Sequence, residues 1–432
     1  MSNSPFIVTE HLIDAQYIRE YPRATTTQDA PLKLSVKKYT PIDNQNPNPG
    51  DITLIAVHGT GFPKEVYEPL WEELVARSEQ DGFRIRAIWI ADAVNQGASG
   101  IQNESHLGND ASWYDNSRDM LHMINHFRTE MAQPIIGLGH SIGAVQQIFL
   151  SLIHARLFTS LILIEPFIHD MEDGASGSWI AAAARRKDSW PSRSVAAKIS
   201  LKVWRRWDPR VIGQWVEYGF RDLPTILYPL RGAASGDRPV TLTTTKTQEI
   251  SMYIRPNFHG HKQLGLPDTT DCPSPRHDPL LVPDMIGKLH QKVRFYRPEP
   301  LLAWRLLPHV RPSVLYLSGA NSDLFLSGHH SRAAKKTGTG FGGSGGREYS
   351  RVKHLVIDQS GHTLPLEKVG QTASAVGPWL TEVVQKWKDD ERRIAEGWSE
   401  LPASEKSSFS DQWWKMLDLT AAELPAKRPS KL

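Results

Sequence analysis

The stretch Gly137-Leu138-Gly139-His140-Ser141-Ile142-Gly143-Ala144 constrains this chain more than any other. Apolar Ile135 and Ile136 lead into it, and IGAVQQIFLSLIHA leaves it. The first pattern reads as a buried strand and the second as a helix, so a G-x-S-x-G pentapeptide sits at a strand-to-helix turn. A serine there occupies a strained conformation that lifts Oγ clear of the sheet, and bulky flanking side chains would collide. Ser141 is therefore expected to be a nucleophile.

The surrounding sequence supplies the sheet that such a turn needs. LKLSVKKYTP (32–41) alternates like an antiparallel strand, whereas TLIAVH (53–58) is a continuous apolar run suited to burial on both faces. Helix and strand patterns then alternate through YEPLWEELVARS, FRIRAIWIAD, YDNSRDMLHMINHFRTE and LFTSLILIEPF. They resume at PSVLYLSG (312–319) and VKHLVIDQSGH (352–362). This order predicts an α/β fold with a mostly parallel central sheet flanked by helices. From about 170 to 300 the alternation breaks into Trp-rich helical stretches and then a Pro-rich segment, which reads as a largely helical cap insertion. The expected organisation is a core over 1–170 and 301–390, a cap over 171–300, and a helical tail over 391–432.

Two further motifs give the serine its partners. SGH ends in His362 directly after the last strand, where a general base can reach the nucleophile. HGTGF (58–62) follows an earlier buried strand, and its glycines let a backbone N–H face a developing oxyanion. The expected donors are Ile142 N–H and either Gly61 or Phe62 N–H. Two strand ends can supply the acid: Glu165 in LILIEPF, or Asp323 in LSGANSDLF.

Composition narrows the function classes. A net charge of +3 over 432 residues does not mark a nucleic-acid binder. The single cysteine, Cys272, excludes an internal disulfide and a multi-cysteine metal site. HGH (259–261) has no third ligand nearby, and TGTGFGGSGG (337–346) lacks the GK[ST] of a phosphate loop, so both read as loops. No apolar run approaches the roughly 18 residues of a membrane span. The start of the chain lacks the apolar segment of a secretory leader. Ser430-Lys431-Leu432 reads as the tripeptide bound by the peroxisomal import receptor, which predicts a peroxisomal matrix protein.

Together these motifs resemble the α/β-hydrolases and, more narrowly, fungal peroxisomal acyl-CoA hydrolases of secondary metabolism. The likeness spans nearly the whole chain, through EHLI…YIREYP, HGTGFPKEVYEPLWEEL, IRAIWIAD, SWYDNSRDMLHMINHFR, GHSIG, RDLPT, PVTLTT, YRPEP, GGSGG and SKL. In common α/β-hydrolases the later strand end reads G-x-x-D, but Ser322 stands three places after Gly319, and Asp323 is one residue late. That register favours Glu165, with Asp323 as the alternative. The resemblance also puts the acid after the strand following the nucleophile, at Glu165, where the relatives carry Asp. It implies a Ser141–His362–acid triad, an acyl-enzyme, and no metal or organic cofactor. It favours an acyl-CoA thioester as substrate, with a carboxylic or lipid ester as the alternative. Residues 180–210 carry nine basic side chains against Asp188 and Asp208. They could hold the phosphates of coenzyme A beside the tryptophans, or form a solvated face over a Trp core.

Overall fold

Among the residues that this computed structural model describes (4–171, 178–229, 238–257, 280, 283–284 and 295–423), eight strands form one sheet. They are β1 (Phe6–Asp14), β2 (Lys33–Pro41), β3 (Ile52–Val57), β4 (Ile85–Ala91), β5 (Ile135–His140), β6 (Ser160–Ile164), β7 (Ser313–Gly319) and β8 (Val352–Ile357). Their spatial order is β1-β2-β4-β3-β5-β6-β7-β8. The β1–β2 and β2–β4 pairs are antiparallel, and every pair from β4 to β8 is parallel.

Every residue of β3, β5, β6 and β7 is buried, as strands covered on both faces must be. Alternate residues serve opposite layers, following the two-residue period of a strand. Leu54, Ile136, Ile162 and Leu315 pack with Trp71, Leu74, Val376 and Leu380 on one side. Ile55, Ile135, Leu161 and Val314 pack with Trp113, Met120, Val145 and Phe149 on the other. The leading strand β1 has no such pattern. Only Phe6 and Ile13 of it are buried, because it lies at the sheet edge.

Between β6 and β7 lie the helices Ser178–Arg185, Arg193–Val203, Pro209–Tyr218, Lys246–Tyr253 and Glu299–Leu306. Three short antiparallel strands, Ser189–Trp190, Val240–Leu242 and Phe220–Asp222, accompany them. Strands of two or three residues are too short to show a period, so the sequence pattern reveals only the helices here. Trp190, Trp207 and Trp215 are buried in the same apolar cluster as the first sheet layer, and Trp204 stacks on Trp207 at 4.3 Å. The tryptophans thus serve mainly as packing.

The chain divides into two compact units, Met1–Val384 and Gln385–Leu432. The second holds the end of helix Val369–Ala395 and the helices Ala403–Lys406 and Asp411–Glu423. Within it Phe409 stacks on Trp413 at 4.8 Å. His259–His261, Cys272 and Ser430-Lys431-Leu432 lie outside the described residues.

Two substitutions test this packing. Gly213 lies inside helix Pro209–Tyr218 with nothing within 4 Å of an added Cβ. Gly213→Ala is expected to stabilise by about 0.5–1 kcal/mol through helix propensity. Trp71 is fully buried, so Trp71→Ala is expected to cost about 3–5 kcal/mol. Denaturant midpoints of the two variants should move in opposite directions.

Candidate active site

The turn between β5 and helix Ile142–Ile153 has the strained geometry that its sequence implies. Ser141 sits at φ 58° and ψ −120°. Its N–H donates to Ile164 O at 2.9 Å, and its carbonyl accepts Phe167 N–H at 3.2 Å, which ties the turn to the end of β6. A Cβ on Gly139 would lie 2.5 Å from Ala144 Cα, and one on Gly143 would lie 2.5 Å from Val57 O. Both glycines are required by close backbone approach.

Three side chains meet here. His362 Nε2 lies 2.8 Å from Ser141 Oγ, and its Nδ1 lies 3.1 Å from Glu165 Oε2. Glu165 is fully buried, and two further hydrogen bonds hold it. Gly319 N–H donates to Oε1 at 2.6 Å and Ser322 Oγ donates to Oε2 at 2.5 Å, while His330 Nδ1 stands 3.9 Å from Oε1, beyond hydrogen-bond range. Burial alone would raise the Glu165 pKa, but the His362 hydrogen bond and charge, with His330 and Ser322, bring it below the ordinary value. Asp323 is exposed at the start of helix Asp323–Leu326 and is not brought to His362. Ser322, in the register position of the usual acid, donates to Glu165 instead.

The residue between Gly139 and the serine also has a structural task. His140 is fully buried, with its Nδ1 2.7 Å from Tyr67 Oη and its Nε2 2.9 Å from His362 O. A carbonyl can only accept, so Nε2 carries the proton and Nδ1 accepts from Tyr67. Tyr67 Oη in turn accepts Gly59 N–H at 2.8 Å. One hydrogen-bonded chain therefore joins the HGTGF loop, the serine turn and the backbone of the base. Burial, with His362 beside it, pushes the His140 pKa down to about 3. A parallel relay lies under the acid: Ser318 Oγ bonds His330 Nδ1 at 2.8 Å and His354 Nε2 at 2.9 Å, while His330 Nε2 donates to Pro166 O.

The HGTGF loop is pinned from several sides. Lys64 Nζ is buried against Asp92 at 2.7 Å, and Lys64 N–H donates to the same carboxylate at 2.9 Å. His58 Nε2 accepts Ala93 N–H at 3.0 Å. Gly61 N–H donates to Gln96 Oε1 at 2.7 Å, while Phe62 N–H makes only a long 3.3 Å turn bond to Gly59 O. Ile142 heads its helix, so its N–H has no partner one turn back. The Phe62 ring stacks over His140 at 6.3 Å and meets Trp207 edge-on at 5.4 Å. Sequence reading did not single out Tyr67, Gln96, Ser322 or His330. Of these only Ser322 left a signal, as the shifted acid register.

Residues 54–375 match the alpha/beta hydrolase family. The chain belongs to that family. It is 39% identical over 436 residues to a type I acyl-CoA thioesterase, mpaH, of Penicillium roqueforti, with 96% of each chain covered. A relative from Penicillium brevicompactum, type I acyl-CoA thioesterase mpaH', is 40% identical with the same coverage. Among solved structures, the peroxisomal alpha-beta-hydrolase Lpx1 of Saccharomyces cerevisiae aligns with a TM-score of 0.64 over 99% of both chains, at 16% identity. That likeness concerns the fold.

The buried histidines set an acid limit on this hydrolase. Burial holds His140 near 3, and His169 and His354 each near 4, from an ordinary 6.5. At these three positions the unfolded chain binds protons that the folded one refuses between about pH 4 and 6.5. The histidines therefore contribute stability that rises with pH, against an opposite contribution from Asp115, whose carboxyl burial pushes up to about 7. The thermal midpoint should therefore depend less steeply on pH between about 4 and 6.5 in His354→Gln than in the wild type. An unchanged slope in that variant would contradict the neutral, buried assignment.

Proposed function

We propose that this hydrolase cleaves acyl-CoA thioesters through an acyl-enzyme on Ser141. The continuous chain from Ser141 Oγ through His362 to Glu165 carries the nucleophilic part of this reading. The choice of thioester rests on the two relatives named type I acyl-CoA thioesterases. His362 Nε2 takes the Ser141 proton as Oγ attacks the thioester carbon, and the carbonyl electron pair moves onto oxygen. Ile142 N–H and Phe62 N–H are assigned to that oxyanion, since Gln96 already engages Gly61 N–H. Collapse breaks the C–S bond, and His362 returns its proton to the departing sulfur. Water then attacks the acyl-enzyme with His362 as base, which releases the acid and restores the serine. Glu165 stays ionised, keeps the Nδ1 proton in place, and stabilises the imidazolium.

Acyl-CoAs and oxygen esters of the same acyl groups distinguish the proposal from a general esterase. Ser141→Ala is expected to lower kcat about 10⁴-fold or more and to abolish labelling by a fluorophosphonate. Glu165→Gln should cost about 10²-fold to 10⁴-fold, because the wrong imidazole tautomer then faces the serine, whereas Asp323→Asn should leave kcat within about twofold. Thiol release that persists in Ser141→Ala would refute the mechanism. Ester turnover without thioester turnover would assign an esterase instead.

The tripeptide Ser430-Lys431-Leu432 supports delivery to the peroxisomal matrix by its import receptor. A fluorescent protein fused ahead of this chain should collect in peroxisomes and spread through the cytosol once Leu432 is removed. Unchanged punctate signal after that deletion would disprove the assignment.

A further inference from the structure

The leaving group of the proposed reaction must pass His362, because His362 Nε2 returns the proton to it. That side of the site is also the open one. The His362 side chain is 40% exposed, whereas Glu165 is wholly buried and Ser141 nearly so. The cap segment 206–208 stands directly on the loop that carries the base. Arg206 Nη2 donates to Gln359 O at 2.7 Å and pairs with Glu367 at 2.9 Å. Trp207 Nε1 donates to Thr363 Oγ1 at 3.2 Å, and Asp208 N–H donates to Leu366 O at 2.9 Å.

The basic residues of the cap separate into two groups. Arg186 pairs with Glu249, Arg193 caps the carbonyls of Val216, Glu217 and Phe220, and Arg210 pairs with Asp208 and Glu73. With Arg206, these are spent on the fold. Arg185, Lys187, Lys198, Lys202 and Arg205 are exposed and have no ion-pair partner among the described residues. Of these the last three lie on or just after helix Arg193–Val203, which leads into the segment on the base loop. Lys198 and Lys202 lie four apart in helix Arg193–Val203, so they share one face. Arg205 immediately precedes the segment that touches the base loop. No acidic residue interrupts the chain between Asp188 and Asp208.

We infer that Lys198, Lys202 and Arg205 form the docking site for the phosphate groups of the leaving coenzyme A, along the His362 side of the catalytic serine. This rests on the thioesterase reading and adds to it the location of the anionic end of the substrate. Three exposed cations without an ion-pair partner among the described residues, on the helix that runs into the segment touching the base loop, fit a phosphorylated leaving group, and a neutral ester gains nothing from them. Free coenzyme A should therefore bind the full-length protein as a competitive inhibitor.

The test compares acyl-CoA with S-acyl pantetheine of the same acyl group, which lacks the nucleotide phosphates. In the triple variant Lys198→Glu/Lys202→Glu/Arg205→Glu, KM for acyl-CoA is expected to rise about tenfold or more above any change for acyl-pantetheine. The gap should shrink as salt increases. The triple Gln variant, which only neutralises the face, should give a smaller shift of the same sign. Equal KM changes for both substrates, or none, would overturn the docking site while leaving thioester cleavage intact. If wild-type protein hydrolyses only oxygen esters and coenzyme A does not inhibit it, the thioesterase reading itself fails. The same helix exposes Ile199, Leu201 and Val203. If the Glu variant keeps its KM for acyl-CoA but loses sedimentation with phosphatidylglycerol vesicles, the face belongs to a membrane and the inference is wrong.

Discussion

The positive φ of Ser141 is the constraint around which the rest of this site is arranged. A non-glycine residue at 58° costs on the order of 1–3 kcal/mol and persists only where its neighbours over-determine it. They do so through backbone. β6 receives the serine N–H at Ile164 and returns Phe167 N–H to the serine carbonyl. Gly139 and Gly143 let helix Ile142–Ile153 close against β5 and the end of β3. The consequence is directional. With the serine turned outward, His140 before it points into the core toward Tyr67, and Ile142 after it starts a helix, where its N–H has no partner one turn back. Three consecutive residues, His140, Ser141 and Ile142, are aimed differently by one strained turn.

The acid shows how side-chain reach and strand position substitute for each other. An acid at the end of β7 and one at the end of β6 can approach the same imidazole, since those strands are parallel neighbours. Here the β6 residue supplies the carboxylate, and the β7 end supplies Gly319 N–H and the Ser322 hydroxyl to receive it. A buried carboxylate without partners would be protonated at neutral pH. Glu165 instead stays below its ordinary value because its hydrogen-bond donors and the imidazole outweigh desolvation. The off-register Ser322 is therefore part of the acid site rather than a defect in it.

Much of this was legible in the sequence because burial leaves a periodic trace. Fully buried strands such as ITLIAV and SLILI, and the glycine spacing around Ser141, follow directly from steric and solvation rules. His362 followed from its place after the last strand. β1 did not, because an exposed edge strand needs no alternation. Tyr67 and Gln96 did not either. Each reaches the site across tertiary structure, Tyr67 to Gly59 and His140, and Gln96 to Gly61. The basic run was visible as charge, but only the folded chain separates Arg186, Arg193, Arg206 and Arg210, which bond other parts of the fold, from the cations without an ion-pair partner among the described residues.

Phe62 joins the cap to the chemistry. Its ring is one member of an aromatic cluster with Trp204, Trp207 and Trp215, and its other face covers His140. Its backbone lies in the HGTGF loop, so that loop and the aromatic cluster share a residue. Trp207 in the same cluster bonds Thr363, next to the base. A displacement of the cap would therefore disturb the oxyanion loop and the imidazole together, through contacts only one side chain deep. An aromatic cluster packs with little slack, so it transmits position better than a polar hinge would. The aromatic cluster thus ties the HGTGF loop and the loop that carries His362 to the helices between β6 and β7.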